Sequence, residues 1–95
     1  MKLWILKPID QNAYAEVRGH NRKVWSWDCA YGFVVRAEDE RSAREFVARS
    51  RERDDWENTT GDEGPEVWRD VTLTSCVELT GEGEPEIILR DFVAG

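Results

Sequence analysis

Four consecutive apolar residues, Leu3-Trp4-Ile5-Leu6, stand near the start of the chain and stop at Lys7-Pro8. Along an extended backbone successive side chains point to opposite faces. Leu3 and Ile5 therefore share one side, and Trp4 and Leu6 the other. A strand apolar on both faces belongs in the middle of a sheet rather than at its edge. Pro8 ends it by removing a ladder donor. A 95-residue chain must then flank residues 2–7 with other strands and cover both faces from one small domain, 1–95.

The cover is scarce, because the hydrophobic pattern predicts a single helix. Residues 32–37, Gly32-Phe33-Val34-Val35-Arg36-Ala37, read as a strand, being β-branched and aromatic. It runs into Glu38-Asp39-Glu40, where an acidic side chain can cap a helix start. From residue 40 to about 53, Ala43, Phe46, Val47 and Ser50 form the stripe of an amphipathic helix. Arg49, Arg51 and Arg53 suit its negative C-terminal end.

The connecting segments are less regular. Residues 9–24 are polar and read as a loop with some local structure or a short hairpin, with weak alternation over 13–18. Residues 54–66 form an acidic loop punctuated by Gly61 and Gly64-Pro65. A strand is expected within 71–80, with Leu73, Val77 and Leu79 inward and a bulge or short turn near Ser75-Cys76. Gly81-Glu82-Gly83-Glu84-Pro85 is a turn by composition, and a last strand is expected over 86–93. The expected fold is α+β: a four-stranded, mostly antiparallel sheet with one amphipathic helix on one face, in the order β-β-α-β-β. Five tryptophans, Trp4, Trp25, Trp27, Trp56 and Trp68, help close so small a core.

Charge carries most of the functional information. Residues 1–53 hold eleven bases and eight acids, whereas 54–95 hold two bases, Arg69 and Arg90, and twelve acids. Phosphate neutralisation supplies most nucleic-acid affinity, so a net charge of −7 argues against direct DNA or RNA binding. An acidic half serves solubility or steers the domain to a basic partner. Apolar runs are too short to span a membrane. The apolar stretch at the start also stops too early for a secretory signal, so a cytoplasmic protein is expected.

Chemistry-bearing constellations are sparse. Two cysteines, Cys29 and Cys76, and one histidine, His20, cannot supply four tight zinc ligands. Both cysteines read as reduced and packed. Cys29, His20 and Asp28 can be written as a nucleophilic site, but nothing in their spacing recommends it. No glycine loop suits a phosphate, because Gly61-Asp62-Glu63-Gly64 places acids there. Calcium-loop spacing is missing, and the Asn58-Thr59-Thr60 sequon has no meaning without secretion. The reading is of a non-enzyme without metal or cofactor. Trp25-Ser26-Trp27 reads as buried cover for the sheet, the alternative being interface anchors.

What remains is the acid clusters: Asp54, Asp55 and Glu57, then Asp62, Glu63 and Glu66, then Glu82, Glu84 and Glu86. On loops and turns, carboxylates two residues apart stand roughly 6–7 Å from one another, close to the phosphate spacing of a nucleic-acid strand. These nine residues are the partner-binding site read from the sequence.

Five segments carry a resemblance: Met1-Lys2-Leu3-Trp4; Tyr31-Gly32-Phe33-Val34-Val35-Arg36-Ala37 with the acidic helix start; Gly61-Asp62-Glu63-Gly64; Thr74-Ser75-Cys76-Val77-Glu78-Leu79; and Gly83-Glu84-Pro85 with Ile88-Leu89-Arg90-Asp91-Phe92. In these the chain resembles a family of short acidic bacterial and prophage-borne proteins without an assigned activity. It is also similar, by analogy of size and charge layout, to phage-encoded anti-CRISPR proteins. The resemblance implies an inhibitor of a type I surveillance complex, with type I-C a candidate subtype, that blocks the complex's path for target DNA. The competing readings are a generic cytosolic protein–protein interaction module or homodimer, a minor nucleic-acid binder through the arginine-rich helix, and a small enzyme.

Overall fold

The computed structural model describes residues 1–17, 19–25, 29–52, 63–85 and 87. The elements run β1 (Lys2–Pro8), β2 (Tyr14–Val17), β3 (His20–Lys23), β4 (Phe33–Ala37), α1 (Glu40–Glu52), α2 (Pro65–Arg69) and β5 (Thr74–Glu78). They form a three-stranded antiparallel sheet in the order β4-β1-β5 and a separate β2–β3 hairpin. The α+β class holds, but the expected single four-stranded sheet with one helix does not. Residues 9–24 supply a hairpin of their own, and a second helix stands where the acidic loop was expected to end.

β1 occupies the central position that its two apolar faces demand. Leu6 pairs with Phe33 and Cys76, and Ile5 with Val34 and Val77. Trp4, Leu6, Phe33, Val35, Ala37 and Cys76 share the face that packs against Ala43, Val47 and Ala48 of α1 and against Trp68 of α2. The opposite face carries Ile5, which is buried, and Leu3, Val34 and Val77, which are exposed.

Two sequence expectations about the core reverse here. The inward residues of β5 are Thr74 and Cys76, while Val77 is 57% exposed. Pairing with β1 fixes this register: once Cys76 sits opposite Leu6, the two-residue period sends Val77 to the other face. In α1 the buried residues are Ala43, Arg44, Val47 and Ala48, and Phe46 is 66% exposed. At about 100° per residue Phe46 points away from the Arg44–Ala48 side. The bulk between helix and sheet comes from Trp4, Phe33 and Trp68, so α1 contributes small residues that allow close approach.

Asp39 caps α1, its Oδ1 accepting from the Ser42 amide at 2.7 Å and its carbonyl from the Ala43 amide at 3.0 Å. α2 opens with Gly64 at φ 78° and Pro65 in the first turn, where the missing proline N–H costs no helical bond. The β2–β3 turn likewise needs the positive φ of Gly19, at 85°. Below this turn a second apolar cluster joins Val17 and Val24 to Trp25 and to Val67 of α2.

Arg44 ties the layers together. It is 7% exposed, and its Nη1 donates to the Trp68 carbonyl (3.2 Å) and to Thr74 Oγ1 (2.8 Å). Its Nη2 donates to the Thr74 carbonyl (2.9 Å). Thr74 Oγ1 also contacts the Val67 and Asp70 carbonyls at 3.1 Å. One guanidinium thus joins α1 to both α2 and β5. The expected last strand lies outside the described residues except for Ile87, which is not in a strand and is exposed.

Arg44→Lys is expected to cost about 2–3 kcal/mol in urea unfolding, because an ammonium lacks the planar fork that reaches these acceptors. Phe46→Ala should change stability by less than about 0.5 kcal/mol, whereas Val47→Ala should cost about 2 kcal/mol. Equal losses at Phe46 and Val47 would contradict the helix orientation described here.

Candidate functional site

The nine carboxylates read from the sequence do not share one environment. Asp54, Asp55, Glu57, Asp62 and Glu86 lie outside the described residues. Glu82 and Glu84 are exposed on the segment after β5, and Glu66 is exposed in the first turn of α2. Glu63 is different and corrects the expectation of an exposed, mobile side chain, since it is 0% exposed. Its Oε1 accepts from Arg51 Nε at 2.8 Å and from Trp68 Nε1 at 3.1 Å. Its Oε2 is buried without a hydrogen-bond partner. Sequence spacing placed Glu63 among loop acids because its two partners are 12 and 5 residues away and meet it only in the fold.

Trp68 lies at the centre of this arrangement. Its ring meets Phe33 edge-to-face at 5.0 Å and Trp25 at 6.2 Å. The Arg51 guanidinium stands 5.8 Å from the Phe33 ring centre, adding a cation–π contact beside its ion pair with Glu63. On the outer side of α1 and α2, Arg69 Nη2 contacts Glu45 at 2.8 Å, and Arg69 Nη1 also pairs with Glu66. Glu66 is therefore partly neutralised by its own helix. Glu82 and Glu84 form no ion pair among the described residues.

Between the β2–β3 hairpin and α2 lies a cavity of about 500 Å3. Val17, Pro65, Val67 and Leu73 form apolar parts of its wall, which Glu16, Glu63, Glu66 and Asp70 also border. Sequence reasoning missed Glu16 and Asp70, since they lie 54 positions apart and neither belongs to an acidic run. Asp70 Oδ1 accepts from the amide (2.8 Å) and the hydroxyl (2.6 Å) of Thr72.

The residues weighed for nucleophilic chemistry are placed as follows. His20 is exposed at the start of β3. Cys29 is half-buried, with Sγ 3.5 Å from the Val24 carbonyl oxygen, and Asp28 lies outside the described residues. Cys76 is buried, and that burial pushes its thiol up to about 11, so it is almost entirely protonated at neutral pH. Trp25 is buried, its Nε1 donating to the Ala30 carbonyl at 3.1 Å, while Ser26 and Trp27 lie outside the described residues. Among the described residues no His, Cys, Asp and Glu group could hold a metal ion, and no helix is long and apolar enough to cross a membrane.

No protein-family model matches the chain, and neither a curated protein nor a solved structure does so. The carboxylates and cavity above are therefore interpreted from their own geometry.

Three carboxyls are held below their ordinary values: Asp39 by hydrogen bonds from Ser42, Glu45 by the Arg69 guanidinium, and Asp70 by the Thr72 hydroxyl and amide. A depressed folded-state value stabilises the fold above the unfolded value and loses that contribution as pH falls through the folded one. Thermal melts followed by tryptophan fluorescence should therefore show stability falling from about pH 4 downwards. Asp39→Asn should make that fall shallower. Native Cys76 should resist iodoacetamide at pH 8 and react once the protein is unfolded in urea.

Proposed function

We propose that the chain is a non-enzymatic, acidic inhibitor that binds a basic nucleic-acid groove of a host defence effector. A type I CRISPR surveillance complex is the leading partner suggested by the resemblance. The observation that supports this reading is the one-signed charge of residues 54–95, with twelve acids against two bases. Of these acids, Glu66, Glu82 and Glu84 stand exposed among the described residues, and Glu82 and Glu84 carry no ion pair there. Unpaired exposed carboxylates attract a groove lined with lysine and arginine and raise the encounter rate. Target DNA, which needs the same groove, is excluded while the domain occupies it. Glu63 takes no part, because its carboxylate is committed to Arg51 and Trp68.

The test is capture of a purified type I surveillance complex by immobilised protein at low and high salt, with competing target DNA as a second arm. Screening should weaken capture by at least about tenfold between low and high salt. The combined substitutions Asp54→Asn, Asp55→Asn, Asp62→Asn, Glu82→Gln and Glu84→Gln should abolish it while leaving the melting curve in place. Undiminished capture by that variant would refute recognition through these acids.

The open face of the three-stranded sheet favours a second reading, a homodimer or general interaction module. Leu3, Val34 and Val77 are exposed around buried Ile5 on that face. Light scattering of the native protein and of Val77→Glu distinguishes the two. A dimer that the substitution dissociates favours the second reading, and a monomer in both cases disfavours it.

A further inference from the structure

Alternation turns Leu3, Ile5 and Lys7 of β1, Val34 and Arg36 of β4, and Val77 of β5 to the sheet face away from α1. The ladder runs on past the strand ends, the Ile9 amide donating to the Leu73 carbonyl at 3.0 Å and the Leu79 amide to the Leu3 carbonyl at 2.8 Å. Leu3, Ile9, Val34 and Val77 are four of the nine large hydrophobic residues exposed among the described residues, so exposed apolar surface concentrates here. Charge on this face has the opposite sign to that of the whole chain. Its charged strand residues, Lys7 and Arg36, are both exposed bases, and neither forms an ion pair with a described residue. Glu78 of β5 belongs to the other face, where it stands 3.9 Å from Lys2. Lys7 and Arg36 flank the apolar row Val34–Ile5–Val77 on opposite sides, with backbones about 14 Å apart.

We propose that this face docks an amphipathic helix of a partner protein, with a carboxylate at each end of its apolar stripe. The inference rests on the interaction-module reading above and names that module's partner. Three strands span about 10 Å between the outer two, close to the diameter of one helix with its side chains. The opposite face of the same sheet is covered by α1 in this way. A second copy packed face to face would instead bring its own Lys7 and Arg36. That interface would hold four cations and no acid from the described strand positions, and like charges across an interface weaken it. Carboxylates on the incoming helix match both cations, while Val34 and Val77 supply apolar contact. The two cations lie on different strands, so they also fix the direction of the helix across the sheet.

The probe is a capped helical peptide of about 18 residues, built on alanine and glutamine, with a leucine stripe and a glutamate at each end of that stripe. It is compared with its glutamine and lysine counterparts by titration into isotopically labelled protein under amide NMR. The glutamate peptide is expected to shift amides of residues 3–7, 34–36 and 75–79. Replacing its glutamates by glutamine should weaken binding about fivefold, and by lysine further still. Lys7→Glu with Arg36→Glu should reverse that order, so that the lysine peptide binds best. Val77→Glu should abolish binding of the glutamate peptide while leaving the melting curve in place. Equal affinity for the three peptides, an unreversed order in the double variant, or shifts elsewhere in the protein would overturn the proposal. Methyl contacts in the free protein from Val34 and Val77 to residues beyond 87 of the same chain would overturn it too, because the face is then already filled. A dimer that Val77→Glu dissociates and that binds no peptide would sink the helix partner and keep the interaction face. A monomer that binds no peptide would sink both.

Discussion

The guanidinium of Arg44 is the contact on which the other layers depend. α2 is one and a half turns long, too short to hold its conformation unaided. Among the described residues β5 is an edge strand of the three-stranded sheet. Both are fastened by the same side chain, through the Trp68 carbonyl and through the hydroxyl and carbonyl of Thr74. A charge so deeply buried is tolerated because its two Nη atoms donate three hydrogen bonds, and Glu40 stands 3.6 Å from the Nε, which has no hydrogen-bond partner of its own. The cost of burial is offset by satisfying two backbone carbonyls at the junction of a helix end and a strand start.

With α2 fixed, Trp68 is driven into the centre of the molecule, where it joins the two apolar clusters. One cluster lies between α1 and the sheet, and the other under the hairpin, with Trp25 touching Trp68 from that side. The indole N–H needs an acceptor at that depth, and Glu63 supplies it. Arg51, from the last turn of α1, neutralises the carboxylate in turn. The buried acid is thus a consequence of the buried tryptophan. It also leaves one carboxylate oxygen of Glu63, Oε2, buried without a hydrogen-bond partner.

This coupling links the fold to the functional reading. The acids beyond residue 53 look equivalent as composition, but packing divides them. Glu63 is withdrawn into the core, Glu66 is shared with Arg69, and Glu82 and Glu84 are exposed with no ion pair among the described residues. An electrostatic surface presented to a basic groove is therefore smaller than the acid count suggests.

Local pattern alone determined several features. The apolar run Leu3–Leu6 made β1 a central strand, the acidic run Glu38–Glu40 marked the start of α1, and Phe33–Ala37 was legible as β4 from its β-branched run. These rest on interactions within a few residues, or on a period that the backbone imposes. α2 carried a local signal, the proline after Gly64, but five residues gave no hydrophobic period to confirm it. Tertiary structure alone decided which face of α1 is buried, the inward residues of β5 and the fate of Glu63. In α1 the largest apolar residue, Phe46, lost to alanines and to Arg44, because aromatic rings from other elements already filled the space. In β5 pairing with β1 set the register against side-chain size. Hydrophobicity read along the chain ranks residues by what they would gain from burial. Which of them is buried depends on the volume and hydrogen-bonding needs of neighbours far away in sequence.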